Sequence, residues 1–155
     1  MEWNGLTARL KRLSDVFLYQ TKDFYTRQEA GIEPNWHMIF LLLEKHGQLT
    51  VTEMAARLGL SHPALVKLTK KMKAKGYLTS VRDQNDRRQT QLRLSPKAVK
   101  ELPTLHGYWD AGENALRDLM EGSPELLRLL EVVEQNLCER NFTERMTDNL
   151  PPTTT

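Results

Sequence analysis

The sequence predicts a mainly α-helical chain with one small β-hairpin set among its helices, and three observations carry that prediction. Apolar residues recur at steps of three and four over most of the chain, the period of a helix face. Glycines and serine–proline pairs punctuate these runs where one helix should stop and another start. Only the stretch from Tyr77 to Leu94 combines strand-like composition with a turn-rich centre. At 155 residues the chain suits one structural domain. Within it we expect an N-terminal helix over 1–33, a central lobe over 34–97, C-terminal helices over 98–150 and a frayed tail over 151–155.

The elements follow in order. Leu6, Leu10, Leu13, Phe17 and Phe24 mark one face of a long helix over about 6–30, interrupted by Gln20 and ended by Gly31 and Pro34. Trp36, Ile39, Phe40 and Leu43 form the stripe of a second helix, from about Asn35 to His46, which Leu41 and Leu42 widen. Gly47 is placed to end it in the left-handed region. Thr50-Val51-Thr52-Glu53 fits a capping box, opening a short helix that stops near Arg57-Leu58 before Gly59. Ser61 caps the next helix, which runs to Lys75 and stops at Gly76. Two helices joined by a short glycine-containing turn make a helix-turn-helix.

Tyr77 to Val81 then reads as a strand, Asp83-Gln84-Asn85-Asp86 as a turn, and Gln89 to Leu94 as a return strand. In the return strand Thr90, Leu92 and Leu94 alternate with Gln91 and Arg93. A hairpin after a helix-turn-helix is a wing. Ser95-Pro96 opens another helix, with serine as cap and proline at the first helical position, and Ser123-Pro124 repeats the device. The last helix carries Leu126, Leu130, Val133 and Leu137, with Leu127, Leu129 and Val132 nearby.

The net charge of +2 conceals a strong asymmetry. Residues 1–60 carry seven basic and seven acidic side chains, residues 61–97 ten against two, and residues 98–155 five against eleven. A basic block of +8 in the middle of the chain is the footprint of a polyanion binder. It is also compatible with a solvated basic surface, so the motifs must decide.

Those motifs resemble the MarR (multiple antibiotic resistance regulator) family of winged helix-turn-helix transcription regulators. The likeness is carried by Leu49-Thr50-Val51-Thr52-Glu53-Met54-Ala55-Ala56-Arg57-Leu58-Gly59-Leu60-Ser61, by Lys67-Leu68, and by Lys75-Gly76-Tyr77-Leu78. It continues in Asp86-Arg87-Arg88-Gln89-Thr90-Gln91-Leu92-Arg93-Leu94-Ser95, which is similar to the family's D-x-R-x-x-x-L-x-L-[TS] wing motif. The resemblance implies a two-fold dimer held by the N- and C-terminal helices, and a pseudo-palindromic double-stranded DNA operator. It further implies small phenolic or other lipophilic effectors that release the DNA.

On a helix over 62–75, Leu65, Leu68 and Met72 share one side with Thr69, while Pro63, Val66, Lys67, Lys70 and Lys71 fall largely opposite. The first group packs inward; the second is free to face a major groove, although an ordinary lysine-rich surface helix would read the same way. Ser61 and His62 stand at its N-terminus, where a hydroxyl, an imidazole and free amides suit phosphate. Lys67 is the candidate for a guanine edge, Val66 for a thymine methyl, and Lys70 and Lys71 for phosphates. His62, Pro63 and Ala64 depart from the Arg, Ser or Thr that many relatives have near this point, so no operator sequence carries over. In the wing, Arg88 is the candidate for a narrow minor groove and Arg87 and Arg82 for phosphates. The resemblance implies that Asp86 orients Arg88 without touching DNA; the same pair could simply close the hairpin.

Leu6, Leu10, Leu13 and Phe17 with Leu126, Leu130, Val133 and Leu137 supply apolar stripes for a homodimer, or alternatively complete the monomer core. Phe17, Trp36 and Phe40 are candidate lining of an effector pocket, and equally candidate core. Cys138, the single cysteine, is expected to be a buried inert thiol, and its solitude fits a reducing cytosol. His37, His46, His62 and His106 show no metal-ligand spacing, so neither metal nor other cofactor is expected. No nucleophile–base pair or pair of catalytic carboxylates stands out, and no apolar run spans a bilayer. The expectation is a cytoplasmic regulator that is not an enzyme. Two alternatives stay open: a winged helix used for protein contacts, and the regulatory portion of a fusion. Glu139-Arg140-Asn141-Phe142-Thr143-Glu144-Arg145-Met146 resembles the join by which some relatives continue into an acetyltransferase.

Overall fold

The computed structural model describes residues 5–82 and 90–151, without the side chain of Arg82. The chain divides into two units, Met1–Asp110 and Ala111–Thr155. The first opens with α1 (Leu6–Arg27), followed by a 3₁₀ turn (Pro34–Trp36), α2 (His37–His46), β1 (Gln48–Thr50), α3 (Val51–Leu58) and α4 (His62–Ala74). Then come β2 (Leu78–Arg82), β3 (Thr90–Leu94) and α5 (Pro96–Leu119), whose last residues enter the second unit.

The predicted punctuation is present. Gly47, Gly59 and Gly76 all have positive φ, at 77°, 62° and 79°, a region that side chains with a Cβ rarely adopt. At α3 the capping box closes in both directions: Glu53 N donates to Thr50 Oγ1 at 3.2 Å, and Thr50 N donates to Glu53 Oε2 at 2.8 Å. Ser61 Oγ caps α4 by accepting from Ala64 N at 3.4 Å. Ser95 caps α5, its Oγ accepting from Ala98 N at 3.1 Å.

Five details differ from expectation. The first helix ends at Arg27, with Gln28 as its cap, and not at Gly31. The second helix begins at His37, because Pro34-Asn35-Trp36 form a 3₁₀ turn that turns Trp36 inward. The hairpin is joined by a third strand: Gln48–Thr50 pairs with β3, giving the antiparallel order β1-β3-β2 with Leu49 opposite Leu92. Three residues between a helix cap and a capping box are too short to show a period of two. Ser123-Pro124 is shifted by one position, since Pro124 is itself the cap of α6 (Glu125–Glu139) and Ser123 Oγ accepts from Glu125 N. A further short helix, α7 (Phe142–Asp148), follows, capped by Asn141.

The core of the first unit is built around α2. Ile39, Phe40 and Leu43 are essentially inaccessible, and Trp36, Met54, Leu65, Met72 and Tyr77 close around them. Tyr25 near the end of α1, and Leu102, Leu105 and Trp109 of α5, belong to the same core. In the second unit α6 has no buried residue, while α7 folds back on its end: Arg145 Nη2 donates to Asn136 O at 2.7 Å and Arg140 pairs with Asp148.

Candidate nucleic-acid interface

The interface is assembled by the turn between α3 and α4. Leu65, Thr69 and Met72 are buried and Leu68 half-buried, which fixes which side of α4 faces the core. Thr69 sits there without an unmet polar group, because its hydroxyl donates to the Leu65 carbonyl at 2.9 Å. Val66 is 42% exposed, and Ser61, His62, Pro63, Lys67, Lys70 and Lys71 are exposed with it. The division of this helix read from the sequence therefore holds.

Its electrostatics are one-sided. The ion pairs among the described residues include no cation from residues 61–82 or 90–97. Lys67 and Lys71 stand beside an open groove of about 520 Å³ whose other walls are Asn35, Met38, Leu58, Leu60, Ala64 and Leu68. Adjacent unneutralised ammonium groups on one face raise the local potential for an anion.

The N-terminal end of α4 offers less than expected. Ala64 N is taken by Ser61 Oγ, Pro63 has no N–H, and Leu65 N bonds the Ser61 carbonyl. Of the first-turn amides only His62 N is left for a phosphate, together with the Ser61 hydroxyl and the His62 ring. The wing tip, with Asp86, Arg87 and Arg88, lies outside the described residues, as does the Arg82 side chain.

The expected effector-lining trio does not come together as one wall. Trp36 and Phe40 are core residues, 1% and 0% exposed, each meeting Tyr77 edge-on at 5.8 and 5.6 Å. Phe17 is exposed on α1. Large aromatic rings gain most from full burial, and helical spacing placed two of the three on the inward stripe of the lobe. The dimer candidates behave differently: Leu6, Leu10, Leu13, Leu126, Leu130, Val133 and Leu137 are all between 37% and 53% exposed, so they do not complete either unit's core. Cys138 is exposed, not buried, on a helix that has no buried residue.

The sequence reading missed two clusters. His37 and His106 flank Trp109, with ring centroids at 4.6 and 5.0 Å, and His106 Nε2 meets Glu44 at 2.9 Å. Although the histidines looked scattered, residues 37, 44, 106 and 109 converge; no metal-binding group of His, Cys, Asp or Glu forms among the described residues. The second cluster is at the junction of α4 and α5, where Tyr77 OH donates to Glu101 Oε2 at 2.9 Å. Burial and the Glu101 charge push the Tyr77 phenol far above its ordinary range. A glutamate one turn into a helix beside a buried tyrosine carries no signature in sequence.

Two helices joined at a tight turn, backed by a three-stranded sheet with a β2–β3 wing, define a winged helix-turn-helix protein. Residues 30–89 match the sequence profile of the MarR family. Among curated relatives, the HTH-type transcriptional regulator SarZ of Staphylococcus haemolyticus is 27% identical over 73 residues, 47% of this chain and 50% of SarZ. The chain thus spans about half the length of the curated relative it matches. Among solved structures, a MarR/EmrR family transcriptional regulator from Acinetobacter sp. ADP1 superposes with a TM-score of 0.74 at 20% identity, covering 88% of this chain and 96% of that one. The transcriptional repressor CouR, bound to a 23-mer DNA duplex, gives 0.71 at 21%, covering 86% and 98%. Overoxidized AbfR bound to DNA gives 0.69 at 21%, covering 88% and 92%. At such identities these likenesses establish the fold. No described helix is long and apolar enough to cross a membrane.

Proposed function

We propose that this chain is a DNA-binding transcription regulator that acts as a homodimer on a pseudo-palindromic operator. The observation that carries the reading is the exposed face of α4, where Lys67, Lys70 and Lys71 stand with no acidic partner among the described residues. Lys67 reads a base edge, Val66 touches a thymine methyl, and Lys70 and Lys71 meet phosphates. Arg88, oriented by Asp86, enters the minor groove, with Arg82 and Arg87 on the backbone. The exposed stripes of α1 and α6 pair two copies, since one module of this size offers too small a contact for tight operator binding. CouR, named as a repressor bound to DNA, supports the same sense of regulation here; we take a small lipophilic effector as the release signal. Trp36 and Phe40 are not part of that effector site, being closed in the core.

The test is selection of bound duplexes from a random pool, followed by titration of the selected sequence over a range of salt. We expect an inverted-repeat consensus and an affinity that falls steeply with salt, because each neutralised phosphate releases counterions. Enrichment of no sequence, with salt-insensitive capture of protein in its place, would establish the winged helix as a protein-contact module.

A further inference from the structure

Not every cation of the basic block faces outward to a ligand. Lys97, in the first turn of α5, donates from Nζ to the Lys75 carbonyl at 3.0 Å and lies 4.1 Å from the centroid of the Tyr77 ring. Lys75 is the C-cap of α4, so its carbonyl is among those left without an in-helix donor, at the end where the helix dipole favours a cation. One turn further along α5, Glu101 accepts the Tyr77 hydroxyl. Ser95, the cap of α5, also donates from Oγ to the Gly76 carbonyl at 2.6 Å, and its N–H bonds the Tyr77 carbonyl at 2.9 Å. Tyr77 is itself seated in the core against Trp36 and Phe40. The last turn of α4 is therefore latched to the first turn of α5, with an anchored ring between them.

We propose that Lys97 is a positioning residue for the DNA-binding face: it holds the C-terminal end of α4, and does not itself neutralise phosphate. This rests on the DNA-binding reading given above. Leverage explains why the latch matters. A 13-residue helix is about 20 Å long, so a tilt of about 5° at its held end moves the other end by roughly 2 Å. Side chains that read base edges tolerate about 0.5 Å. Lys97 combines a cation–π contact with a charge-assisted bond to a carbonyl, and its stem runs along Gly76, where an added Cβ would meet Cδ at 3.8 Å.

The experiment compares the full-length parent with Lys97→Met, which keeps the stem but removes the donor, with Lys97→Arg, and with Lys71→Met. Amide hydrogen exchange is measured on the free protein, and affinity for the selected duplex is measured over a range of salt. For Lys97→Met we expect faster exchange in residues 73–77 and affinity lower by roughly three- to tenfold at every salt concentration. The slope of log affinity against log salt should match the parent, and Lys97→Arg should restore both quantities. Lys71→Met should instead lower that slope by about one. A slope lowered by about one in Lys97→Met overturns the proposal, as does unchanged exchange in residues 73–77. If the parent binds no duplex, the DNA-binding reading fails on its own, and the exchange arm alone decides whether Lys97 braces α4.

Discussion

Glu44 of α2 and His106 of α5 meet at 2.9 Å, carboxylate to imidazole Nε2, across 62 positions of sequence. The contact ties the helix at the centre of the lobe to the one that leaves it. His106 also packs edge-on against Trp109, whose other imidazole neighbour is His37 of α2.

From that arrangement we expect the lobe to be sensitive to acid through His37. Burial first, and the nearby His106 second, hold its pKa below the ordinary 6.5. The unfolded chain therefore binds a proton at His37 more readily, and the stability this neutral side chain contributes is complete above about 6.5 and falls away as pH drops through the lowered value. We expect the thermal midpoint to fall from about pH 7 to about pH 5, and His37→Gln to flatten part of that fall. Parallel pH curves for the two proteins would remove His37 as the cause.

The exposed stripes predict the oligomeric state. Leu10→Glu and Leu130→Glu each place a charge on a face that neither unit's core uses, so the lobe should keep its helical content while the proposed dimer dissociates. Sedimentation at micromolar concentration checks this. A dimer unaffected by both substitutions means that α1 and α6 pair with something else.

In the wing, Arg88→Ala should weaken operator binding by more than about tenfold, since a minor-groove arginine is worth a base contact or more. The thermal midpoint should hardly move. Equal operator affinity of variant and parent would withdraw the minor-groove role.

At the start of α3, Thr50→Ala removes the hydroxyl that accepts from Glu53 N, and leaves Glu53 only the backbone half of the box. The expected loss is about 1 kcal/mol by chemical denaturation, the usual worth of such a cap. Glu53→Gln, which retains an acceptor for Thr50 N, should cost less. The order of the two variants is the test.

Much of the fold was legible because it is local. The capping box at Thr50 and Glu53, the Ser61 and Ser95 caps and the positive-φ glycines each follow from residues at most four positions apart. The period of α4 separates Leu65 and Met72 from Lys67, Lys70 and Lys71 for the same reason. β1 was illegible because three residues show no alternation, and their strand character comes from pairing with β3. Cys138 was misjudged because an apolar helix face looks the same in sequence whether or not something covers it.

By itself, the sequence determined the helix-turn-helix, the hairpin after it, the block of positive charge and the face of α4 that carries it. Helical period, capping chemistry and charge are properties of neighbouring residues, and neighbours are visible in a string. Tertiary structure decided which members of that block are free. Lys67, Lys70 and Lys71 stand exposed and without an acid among the described residues, whereas Lys97 is bonded to Lys75 O, 22 positions away, and Lys73 Nζ bonds Ser80 Oγ at 2.6 Å. It also decided that Trp36 and Phe40 fill the core and that Glu44 meets His106. Such contacts depend on how helices stack, and no local pattern encodes a separation that only the packed core closes.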